Sequence, residues 1–471
     1  MINKDLVTVS PRLNEIVQRF ETNAAKSGRL AQESEERYRI PGELYGKYDV
    51  KRGLRDADGK GVVAGLTTIS QISASRVENG VRIPDEGKLL YRGLRIQDLV
   101  NGFISQDRFG YEEIVYLLLT GALPTKEQLA DFHGLISEYQ ILPDKFKSGV
   151  IMKMPSENVM SMLERCVLSL HAVDPNPDDT SLENVMRQCL ELIARFPAMA
   201  VYSYQASQYF RQGESMVYHR PDPSKSIAEN FLMLLRPDGQ YTKLEARLLD
   251  LALVLHAEHG GGNNSTFTVH VVTSSGTDTY STIAAAIGSL KGPKHGGANL
   301  KVMEMFDDLK QNVPNWKDED ALRDYLRRLL DREAFDRSGL IYGMGHAVYS
   351  VSDPRAELLK TFAEKLSVEK DCHDEFLLYA NVERIAKELI SEKRKIYKGV
   401  CANIDLYSGF VYRMLGIPND LFTPLFAIAR IAGWSAHRLE ELINGTKIIR
   451  PAYLAVSEPR EYTELGHRST D

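Results

Sequence analysis

A histidine that could act on a carbonyl group lies in residues 292–299, which read GPKHGGAN. His295 follows Pro293, which restricts the backbone, and precedes two glycines, which let another group approach the backbone closely. The apolar residues beyond the glycines recur at helical spacing, so His295 is predicted at a helix N-terminus, whose dipole would keep the ring neutral. A neutral imidazole can donate a hydrogen bond to a carbonyl oxygen as negative charge develops on it. The alternative is a histidine that only caps a turn.

Asp405 is a candidate base, because it lies among apolar and aromatic residues in the stretch YKGVCANIDLYSGFVYRMLG, residues 397–416. Apolar surroundings raise the pKa of a carboxyl group, which suits it to remove a proton near neutral pH. The alternative is a helix cap, which is the commoner role for an isolated aspartate at such a place. The residue types alone leave both roles open.

His346 lies in a second glycine-rich segment, residues 338–360, which read SGLIYGMGHAVYSVSDPRAELLK. Asp353-Pro354 predicts the start of a helix with Arg355 in its first turn. A cation in the first turn opposes the helix dipole, so Arg355 is expected to bind an anion. Glycine-rich loops also bind phosphate groups, but G-x-G without the rest of a fingerprint does not identify such a site.

Two more histidines end an apolar helix in residues 255–270, which read LHAEHGGGNNSTFTVH. His256 and His259 are three positions apart and therefore lie on nearly one helix face. They could contact a substrate, complement the helix dipole, or bind a metal together with Glu258 or His270. The zinc pattern HExxH is absent, and HxxH alone does not decide among these roles.

Two arginines are further candidates for binding an anionic group. Arg430 lies within the apolar helical stretch FAIARIAGWSAH, where a charge normally needs a partner. Arg450 precedes a proline in KIIRPAYL, close to the C-terminal tail.

The elements that must position these side chains are mostly helices, because the pattern from about Tyr111 onward has helical periodicity. Gly121 is predicted to end one helix, and Thr125 to begin the next. Residues 62–93 differ, being rich in Val, Ile and Thr and interrupted by Asn79-Gly80. They predict a small region of two or three strands. The fold class is therefore mainly α with a small N-terminal β region.

The composition is that of a soluble globular chain of 471 residues, with 43% apolar residues, 26% charged residues and a formal net charge of −6. This balance gives no reason to expect a nucleic acid or an anionic membrane as partner. No apolar run approaches the roughly 20 residues that span a bilayer. Secretory and transit patterns are absent from the N-terminus, and the four cysteines form no CxxC pair, so we expect a cytoplasmic protein with reduced thiols.

Taken together, the motifs resemble those of the citrate synthase family. GPKHGGAN resembles the family pattern G-P-x-H-G-G-A-N, GMGHAVY followed by DPRA resembles G-x-G-H-[RA]-V-Y…D-P-R, and ANIDLYSG resembles N-[VI]-D-x-Y-S-G. LLYRGLRIQDLV, EEIVYLLLTGALPT and NFLMLLR resemble earlier signatures, and the similarity extends from about residue 60 to 455. The chain departs from the family at Glu258-His259-Gly260, where D-H-E is common.

The resemblance implies a two-domain helical fold that works as a homodimer. The implied large domain consists of residues 61–296 and 416–471, and the implied smaller domain of residues 297–415. Residues 1–60, which are polar and partly helical in pattern, would precede them as an N-terminal extension. The cleft between the two domains would hold the active site and close on oxaloacetate.

The implied reaction condenses acetyl-CoA with oxaloacetate and hydrolyses citryl-CoA to citrate and CoA, without a metal or another cofactor. His295 would polarise the thioester oxygen, Asp405 would remove a methyl proton, and His346 would hydrogen-bond the ketone of oxaloacetate. The implied ligands of oxaloacetate are His259, Arg355, Arg430 and Arg450, the last reaching across from the partner subunit.

CoA is a further implied ligand. The run SEKRKIYKG, residues 391–399, places Lys393, Lys395 and Lys398 where they could meet the CoA phosphates, although most such runs are only a solvated helix face. The loop that contains Gly343 and Gly345 resembles the segment that contacts adenine in the family.

Other functions remain open at this point. A 2-methylcitrate synthase would use propionyl-CoA, and a pocket distinguishes one methylene by only about 1–3 kcal/mol. A citryl-CoA lyase or an ATP-dependent citrate lyase module would share the same residues. A helical scaffold without activity would keep only the fold. A metal hydrolase would use His256, Glu258, His259 and His270.

Overall fold

The structure, a computed structural model, describes the chain in five stretches: residues 11–56, 60–78, 81–346, 348–394 and 399–468. These residues belong to two compact units, Met1–Leu66 and Thr67–Asp471. In the first unit, α1 spans Pro11–Tyr38, α2 spans Gly42–Lys47, and a short 3-10 helix spans Arg52–Leu54. The predicted domain boundaries, including the extension at 1–60 and the smaller domain at 297–415, stay predictions.

The second unit begins with an antiparallel sheet of three strands in the order β1-β2-β3. The strands are β1 Ser70–Glu78, β2 Val81–Tyr91 and β3 Leu94–Arg95. Leu89 and Tyr91 are both fully buried, two residues apart on β2, as expected for a strand with one covered face. The sheet confirms the predicted strand region, whereas the predicted Asn79-Gly80 turn lies outside the described residues.

Helices make up most of the second unit, which confirms the mainly α prediction. They are α3 Ile96–Ser105, α4 Tyr111–Thr120, α5 Lys126–Tyr139, α6 Val159–His171, α7 Leu182–Gln212, α8 Ile227–Leu235, α9 Lys243–His256, α10 Asn264–Thr273, α11 Thr279–Lys291, α12 Ala298–Asn312, α13 Glu319–Leu330, α14 Pro354–Glu369, α15 His373–Arg394, α16 Asp405–Met414 and α17 Phe422–Asn444. Within the described stretches, no helix combines the length and apolar character that crossing a membrane requires.

Local signals in the sequence fix several helix ends. Gly121 follows α4 with φ of 86°, a left-handed conformation that glycine adopts without strain. Thr125 caps α5 by accepting a hydrogen bond from the Gln128 amide, and the Gln128 side chain accepts one from the Thr125 amide in return. Both ends lie where the sequence predicts them.

Helix α17 is the most buried long helix of the described chain and packs against α4, α7, α9, α10 and α11. It carries the fully buried guanidinium of Arg438. Hydroxyl groups of Thr273, Thr279 and Thr282 and the carbonyl of Thr277 accept hydrogen bonds from this guanidinium. These bonds tie α17 to α10 and α11, because a buried charge that lost them would be costly.

A stack of aromatic rings holds α12, α15 and α16 together. The ring centroids of Phe306 and Tyr379 are 3.6 Å apart, and those of Tyr379 and Phe410 are 4.7 Å apart. Aromatic pairs of this kind stabilise packing beyond the area that they bury. The stack therefore fixes the start of α16, where Asp405 lies, relative to the helix that follows His295.

Gly433 is the place where α17 passes closest to the chain that follows α9. A Cβ atom at this position would lie 2.4 Å from Glu258 Oε2 and 2.5 Å from the carbonyl oxygen of Ala257. Both distances are shorter than any unstrained contact. Only glycine lets the helix approach the segment that carries His259 without displacing it.

We therefore expect Gly433→Ala to lower the free energy of unfolding by about 1–3 kcal/mol, the usual cost of overpacking. Gly134→Ala is the matched control, because Gly134 is exposed within α5 and a Cβ there would meet nothing within 4 Å. That control should gain about 0.5–1 kcal/mol from the better helix propensity of alanine. Urea unfolding measures both changes, and equal effects of the two substitutions would contradict the close approach at Gly433.

Candidate active site

The segment after α9 carries two buried histidines. His256 ends the helix, and its Nδ1 lies 2.9 Å from the carbonyl oxygen of Ala252, which fixes the ring. Burial lowers the pKa of His256 to about 3, so this ring is neutral. His259 lies beyond the helix end, and burial, followed by the charge of Arg355, lowers its pKa well below the ordinary value. Its Nε2 is buried without a hydrogen-bond partner among the described residues.

Three aromatic rings meet at His259. The ring centroids of His259 and His346 are 5.1 Å apart in an edge-to-face arrangement, and the ring of Tyr349 stacks on His346 at 4.6 Å. The backbone amides of Val348 and Tyr349 both donate to Nδ1 of His346, at 3.0 and 3.1 Å. Nδ1 is therefore the acceptor nitrogen, and the hydrogen of the neutral ring is on Nε2.

Arg355 lies in the first turn of α14, as predicted, and it binds an anion of its own chain. Its Nε and Nη2 donate to the two carboxylate oxygens of Asp353 at 3.1 and 2.7 Å, and the same carboxylate accepts the Arg355 amide at 3.0 Å. Burial alone would raise the pKa of Asp353, but Arg355 lowers it. This two-point contact sets the direction of the guanidinium.

Arg430 is fully buried, and no carboxylate among the described residues is bonded to it. Its Nε donates to the carbonyl oxygen of His256 at 2.7 Å, and its guanidinium carbon lies 4.7 Å from the ring centre of Phe426. Both Nη atoms lack a hydrogen-bond partner among the described residues. Burial lowers the pKa of Arg430 to about 10, although Glu258 opposes the shift. A charge left in this state favours the arrival of an anionic ligand.

His295 lies in the turn that precedes α12, three residues before the first helical residue. Burial and then the charge of Arg430 lower the pKa of His295 to about 4. The ring is thus neutral as expected, and burial and the charge of Arg430 are causes that the sequence did not reveal. Gly296 serves packing, since a Cβ there would lie 2.4 Å from the carbonyl oxygen of Leu290 and 2.9 Å from the methyl group of Thr423.

Ser265 links His295 to the core. Its Oγ lies 3.0 Å from His295 Nε2, accepts a hydrogen bond from Trp434 Nε1 at 3.2 Å, and donates its hydrogen to Asn263 Oδ1 at 3.0 Å, from which it can turn towards His295. When the hydroxyl hydrogen points to His295 Nε2, the ring hydrogen is on Nδ1. Ser265 can therefore select which nitrogen of His295 is the donor.

Asp405 is the first residue of α16, and the amide at this helix start donates to Asn403 Oδ1 at 3.0 Å. Burial raises the pKa of Asp405 to about 6, while Arg355 acts in the opposite direction. A carboxyl group with a raised pKa fits a base better than the helix cap that the sequence left open.

The loop with Gly343 and Gly345 holds the chain that precedes Asp405. The carbonyl oxygen of Gly343 accepts the Asn403 amide, and the carbonyl oxygen of Gly345 accepts Asn403 Nδ2, both at 2.9 Å. Gly343 has φ of 82°, and a Cβ there would lie 2.9 Å from a Leu406 side-chain atom. Gly343 and Gly345 therefore help to position Asp405. The predicted contact of these two glycines with CoA stays a prediction.

Lys393, another of the predicted CoA residues, contacts the end of α13. Lys393 donates to the carbonyl oxygen of Leu330 at 2.7 Å and pairs with Asp331 at the end of α13. Lys395 and Lys398 lie outside the described residues. Arg450 is exposed in the single chain.

The structure therefore brings most of the predicted site together. The charge of Arg430 acts on both His295 and Asp405, and the charge of Arg355 acts on both Asp405 and His259. The residues gathered in this way are His259, His295, His346, Arg355, Arg430 and Asp405. Sequence analysis missed the side chains that orient them, which are Ser265, Asp353, Tyr349, Asn403 and Phe426. Of these, Asp353 was interpreted as a helix start alone, and Tyr349 and Asn403 lie within quoted motifs but received no role.

Comparison with known proteins agrees with this arrangement. The family model "Citrate synthase, C-terminal domain" matches residues 54–452. The citrate synthase of Synechocystis sp. is 35% identical over 376 residues, which cover 79% of this chain and 86% of that protein. The 2-methylcitrate synthase 1 of Corynebacterium glutamicum is 32% identical over 429 residues, which cover 89% of this chain and 99% of that protein.

Solved structures show the same fold. The citrate synthase of Thermoplasma acidophilum, in a ternary complex with carboxymethyl coenzyme A and oxaloacetate, aligns with a TM-score of 0.72 at 28% identity, over 89% of this chain and 99% of that one. The citrate synthase of Pyrobaculum aerophilum aligns with a TM-score of 0.71 at 30% identity, over 87% of this chain and 94% of that one.

Fold and site thus define an acyl-transferring enzyme that joins a thioester to a keto acid. The chain belongs to the citrate synthase family, whose members condense acetyl-CoA with oxaloacetate.

The raised pKa of Asp405 predicts a cost to stability. The folded protein binds the proton more tightly than the unfolded chain, so ionising Asp405 destabilises the fold as the pH rises from about 4 through 6. Asp405→Asn should therefore raise the free energy of unfolding by about 2 kcal/mol at pH 8 and change it little at pH 4. Urea unfolding at the two pH values measures this difference. The same gain at both values would mean that Asp405 is not held with a raised pKa.

Proposed function

We propose that this enzyme condenses acetyl-CoA with oxaloacetate and hydrolyses citryl-CoA to release citrate and CoA. The observation that carries the proposal is the buried, unpaired guanidinium of Arg430 beside a carboxyl group of raised pKa and a neutral histidine. A solved relative in complex with oxaloacetate and a CoA analogue supports the same pair of ligands. Each step of the condensation below is assigned to a side chain, and the proposal includes no metal ion or other cofactor.

Oxaloacetate binds first, because its two carboxylates match the two cations of the site. One carboxylate bonds the Nη atoms of Arg430, which have no partner among the described residues. The other meets Arg355, whose direction Asp353 sets. Nε2 of His259 donates to the bound substrate, and Nε2 of His346 donates to the ketone. This clamp orients the ketone before the second substrate reacts.

Asp405 and His295 then act on acetyl-CoA. A thioester methyl group is a very weak carbon acid, so a carboxylate base alone would remove its proton too slowly. His295 donates from Nδ1 to the thioester oxygen while Asp405 takes the methyl proton, which stabilises the enol as it forms. Positioned acid–base groups contribute about 10²–10⁴-fold, and a donor aimed at the oxyanion contributes on the order of 10²–10³-fold.

The enol attacks the ketone carbon as its hydroxyl hydrogen returns to His295, and His346 hydrogen-bonds the ketone oxygen and helps protonate it as the carbon–carbon bond forms. The proton that the ketone oxygen gains balances the one that Asp405 took from the methyl group. Water then hydrolyses the thioester of citryl-CoA. CoA is held by the loop with Gly343 and Gly345 and by the basic run with Lys393, Lys395 and Lys398. The contact of Lys393 with Asp331 means that its role requires a local exchange of partners.

Propionyl-CoA is the competing acyl donor, and relatives named 2-methylcitrate synthase at 32% identity favour this second candidate. The two donors differ by one methylene, worth about 1–3 kcal/mol in a fitted pocket. Acetyl-CoA is our first choice, because citrate synthases are the relatives at 34–36% identity.

We also propose a homodimer in the cytoplasm, acting in the tricarboxylic acid cycle, in which Arg450 completes the partner subunit's site. The C-terminal tail supports the dimer. It is extended and exposed, and its apolar side chains include Ile448, 61% exposed, and Tyr453, 95% exposed. Apolar groups with so much exposure in one chain suit contact with a second copy.

The test of the reaction follows free thiol release with oxaloacetate and either acetyl-CoA or propionyl-CoA, and compares kcat/KM. Asp405→Ala and His295→Ala should each lower kcat by about 10²–10⁴-fold while oxaloacetate still binds. In the wild type, kcat should fall as the pH drops below about 6, because Asp405 must be ionised to act as base. Near-normal turnover of either variant would refute its assigned role, and release of no thiol from either substrate would favour the lyase module or the inactive scaffold.

The role of Arg450 is tested by mixed dimers. A purified heterodimer of one Arg450→Ala subunit and one Asp405→Ala subunit contains one intact site if Arg450 acts across the dimer, and none if it acts within its own chain. We expect about half of the wild-type activity per dimer, although each homodimeric variant is nearly inactive. An inactive heterodimer would place Arg450 in its own subunit's site.

A further inference from the structure

Behind the substrate-facing residues, four side chains form one continuous row. Oε1 of Glu258 lies 3.1 Å from Nε2 of His437, Nδ1 of His437 lies 3.0 Å from Nε2 of His270, and Nδ1 of His270 lies 2.7 Å from Oε2 of Glu441. The carboxyl–imidazole–imidazole–carboxyl row joins the segment after α9 to α17 and α10. Sequence analysis left open a metal site that includes Glu258 or His270, and the structure gives both of them protein partners.

The row extends from the interior towards the surface. The side chains of Glu258 and His437 are fully buried, whereas those of His270 and Glu441 are 13% and 15% exposed. Gly261 covers the middle of the row, since a Cβ there would lie 3.4 Å from His437 Cε1 and 3.5 Å from His270 Nε2. Protons can therefore exchange with solvent only through the end that contains His270 and Glu441.

A count of hydrogens shows what the row requires. Three gaps separate the four groups, and each gap needs one hydrogen to form a hydrogen bond. Two ionised carboxylates supply none, and two neutral imidazoles supply one each. One gap is then left with two facing lone pairs, and a third hydrogen, held by the imidazole pair, completes the row.

The charges around the imidazole pair favour this added proton. Oε2 of Glu440 lies 3.9 Å from His437 Nδ1 and is buried without a hydrogen-bond partner among the described residues. Its other oxygen accepts from the amide and hydroxyl of Thr68, which also accepts from Arg92. Three carboxylates, those of Glu258, Glu440 and Glu441, thus face the two imidazoles, while the cations nearby are Arg92 and, through Glu258, Arg430.

The inner end of the row fixes the segment that carries His259. Glu258 Oε1 accepts hydrogen bonds from Ser70 Oγ at 2.8 Å and from the amide of Gly260. Its charge also raises the pKa of Arg430 against the effect of burial. The position and charge of Glu258 therefore bear on two residues that face the substrate.

We propose that His437, His270 and Glu441 are positioning residues for His259 and Arg430, and that the row takes up one proton from solvent when oxaloacetate binds. The proton completes the third hydrogen bond, which holds Glu258 and the adjoining His259 in the geometry that binds the keto diacid. The inference rests on the proposed function for its link to oxaloacetate, but the hydrogen count rests on the row alone.

The pKa directions agree with a single added proton. Burial and then His437 lower the pKa of His270, while Glu441 raises it, so the pair does not hold two added protons. Burial would raise the pKa of Glu258, but His437 lowers it to about 2, so this carboxylate stays ionised. Because the pKa of His270 is lowered, a proton on this ring leaves as the pH rises towards neutrality, and we expect bound substrate to shift that loss to higher pH.

Glu441→Gln is the decisive variant, because it keeps the shape and removes the demand for a proton. The amide of glutamine donates to His270 Nδ1, so two neutral imidazoles then complete all three hydrogen bonds. Glu138→Gln is the matched control, since Glu138 is exposed on α5.

Nitrogen NMR of histidine-labelled protein, recorded between about pH 5 and pH 8, reads the protonation of both rings directly. In the wild type we expect one added proton shared by the two rings at low pH, and in Glu441→Gln none. Rings that are both neutral throughout in the wild type would overturn the hydrogen count. The NMR spectrum of the wild type tests the hydrogen count by itself. Its result is informative even if no thiol is released and the proposed function is wrong.

Substrate binding supplies the second readout. Calorimetry in buffers of different ionisation enthalpy should show proton uptake on oxaloacetate binding by the wild type and by Glu138→Gln, and none by Glu441→Gln. In the wild type, the KM for oxaloacetate should rise about threefold to tenfold between low and neutral pH, because losing one hydrogen bond weakens binding by about that factor. In Glu441→Gln, the KM should not change over the same pH range. The pH dependence of kcat, set by Asp405, should be the same in both. Equal proton uptake in all three proteins would refute the positioning role.

Discussion

The site depends on one interaction that is left incomplete: the charge of Arg430 is buried, and in the part of the chain that the structure describes no carboxylate is bonded to it. Its Nε is held by the carbonyl oxygen of His256 and its face packs on Phe426, so the guanidinium cannot turn away to find another partner. A cation in this state lowers the pKa of neighbouring histidines, helps keep carboxyl groups ionised, and attracts an anion. The charge of Arg430 adds to the effect of burial in lowering the pKa of His295. The same charge opposes the effect of burial on Asp405, whose pKa it lowers.

Asp405 shows how opposing effects set a useful pKa. Burial raises the pKa, which makes the carboxylate a stronger base, while Arg355 and Arg430 lower it, which keeps the group ionised near neutral pH. The resulting value of about 6 leaves a base that is both charged and reactive. The same burial destabilises the fold, an example of a functional site maintained at a cost in stability.

Packing makes this arrangement stable. Helix α17 carries Arg430 and Arg438, and the second of these is fully satisfied by threonine oxygens while the first is not. Arg438 therefore has a structural role, whereas Arg430 is available to bind a ligand. The absence of a side chain at Gly433 lets the same helix press against Glu258, so the position of the substrate-facing segment is set by the core.

Sequence alone determined the helical class, the strand region and several helix ends, and it proposed the residues of the site, because caps, periodicity and motif order are local properties of the chain. Tertiary structure decided why those residues behave as they do. Burial and the charge of Arg430 lower the pKa of His295, and the anion beside Arg355 is Asp353. The pairing of His270 with His437 joins residues 167 positions apart. Such contacts carry no local pattern, since desolvation and the approach of distant side chains exist only once the helices have packed.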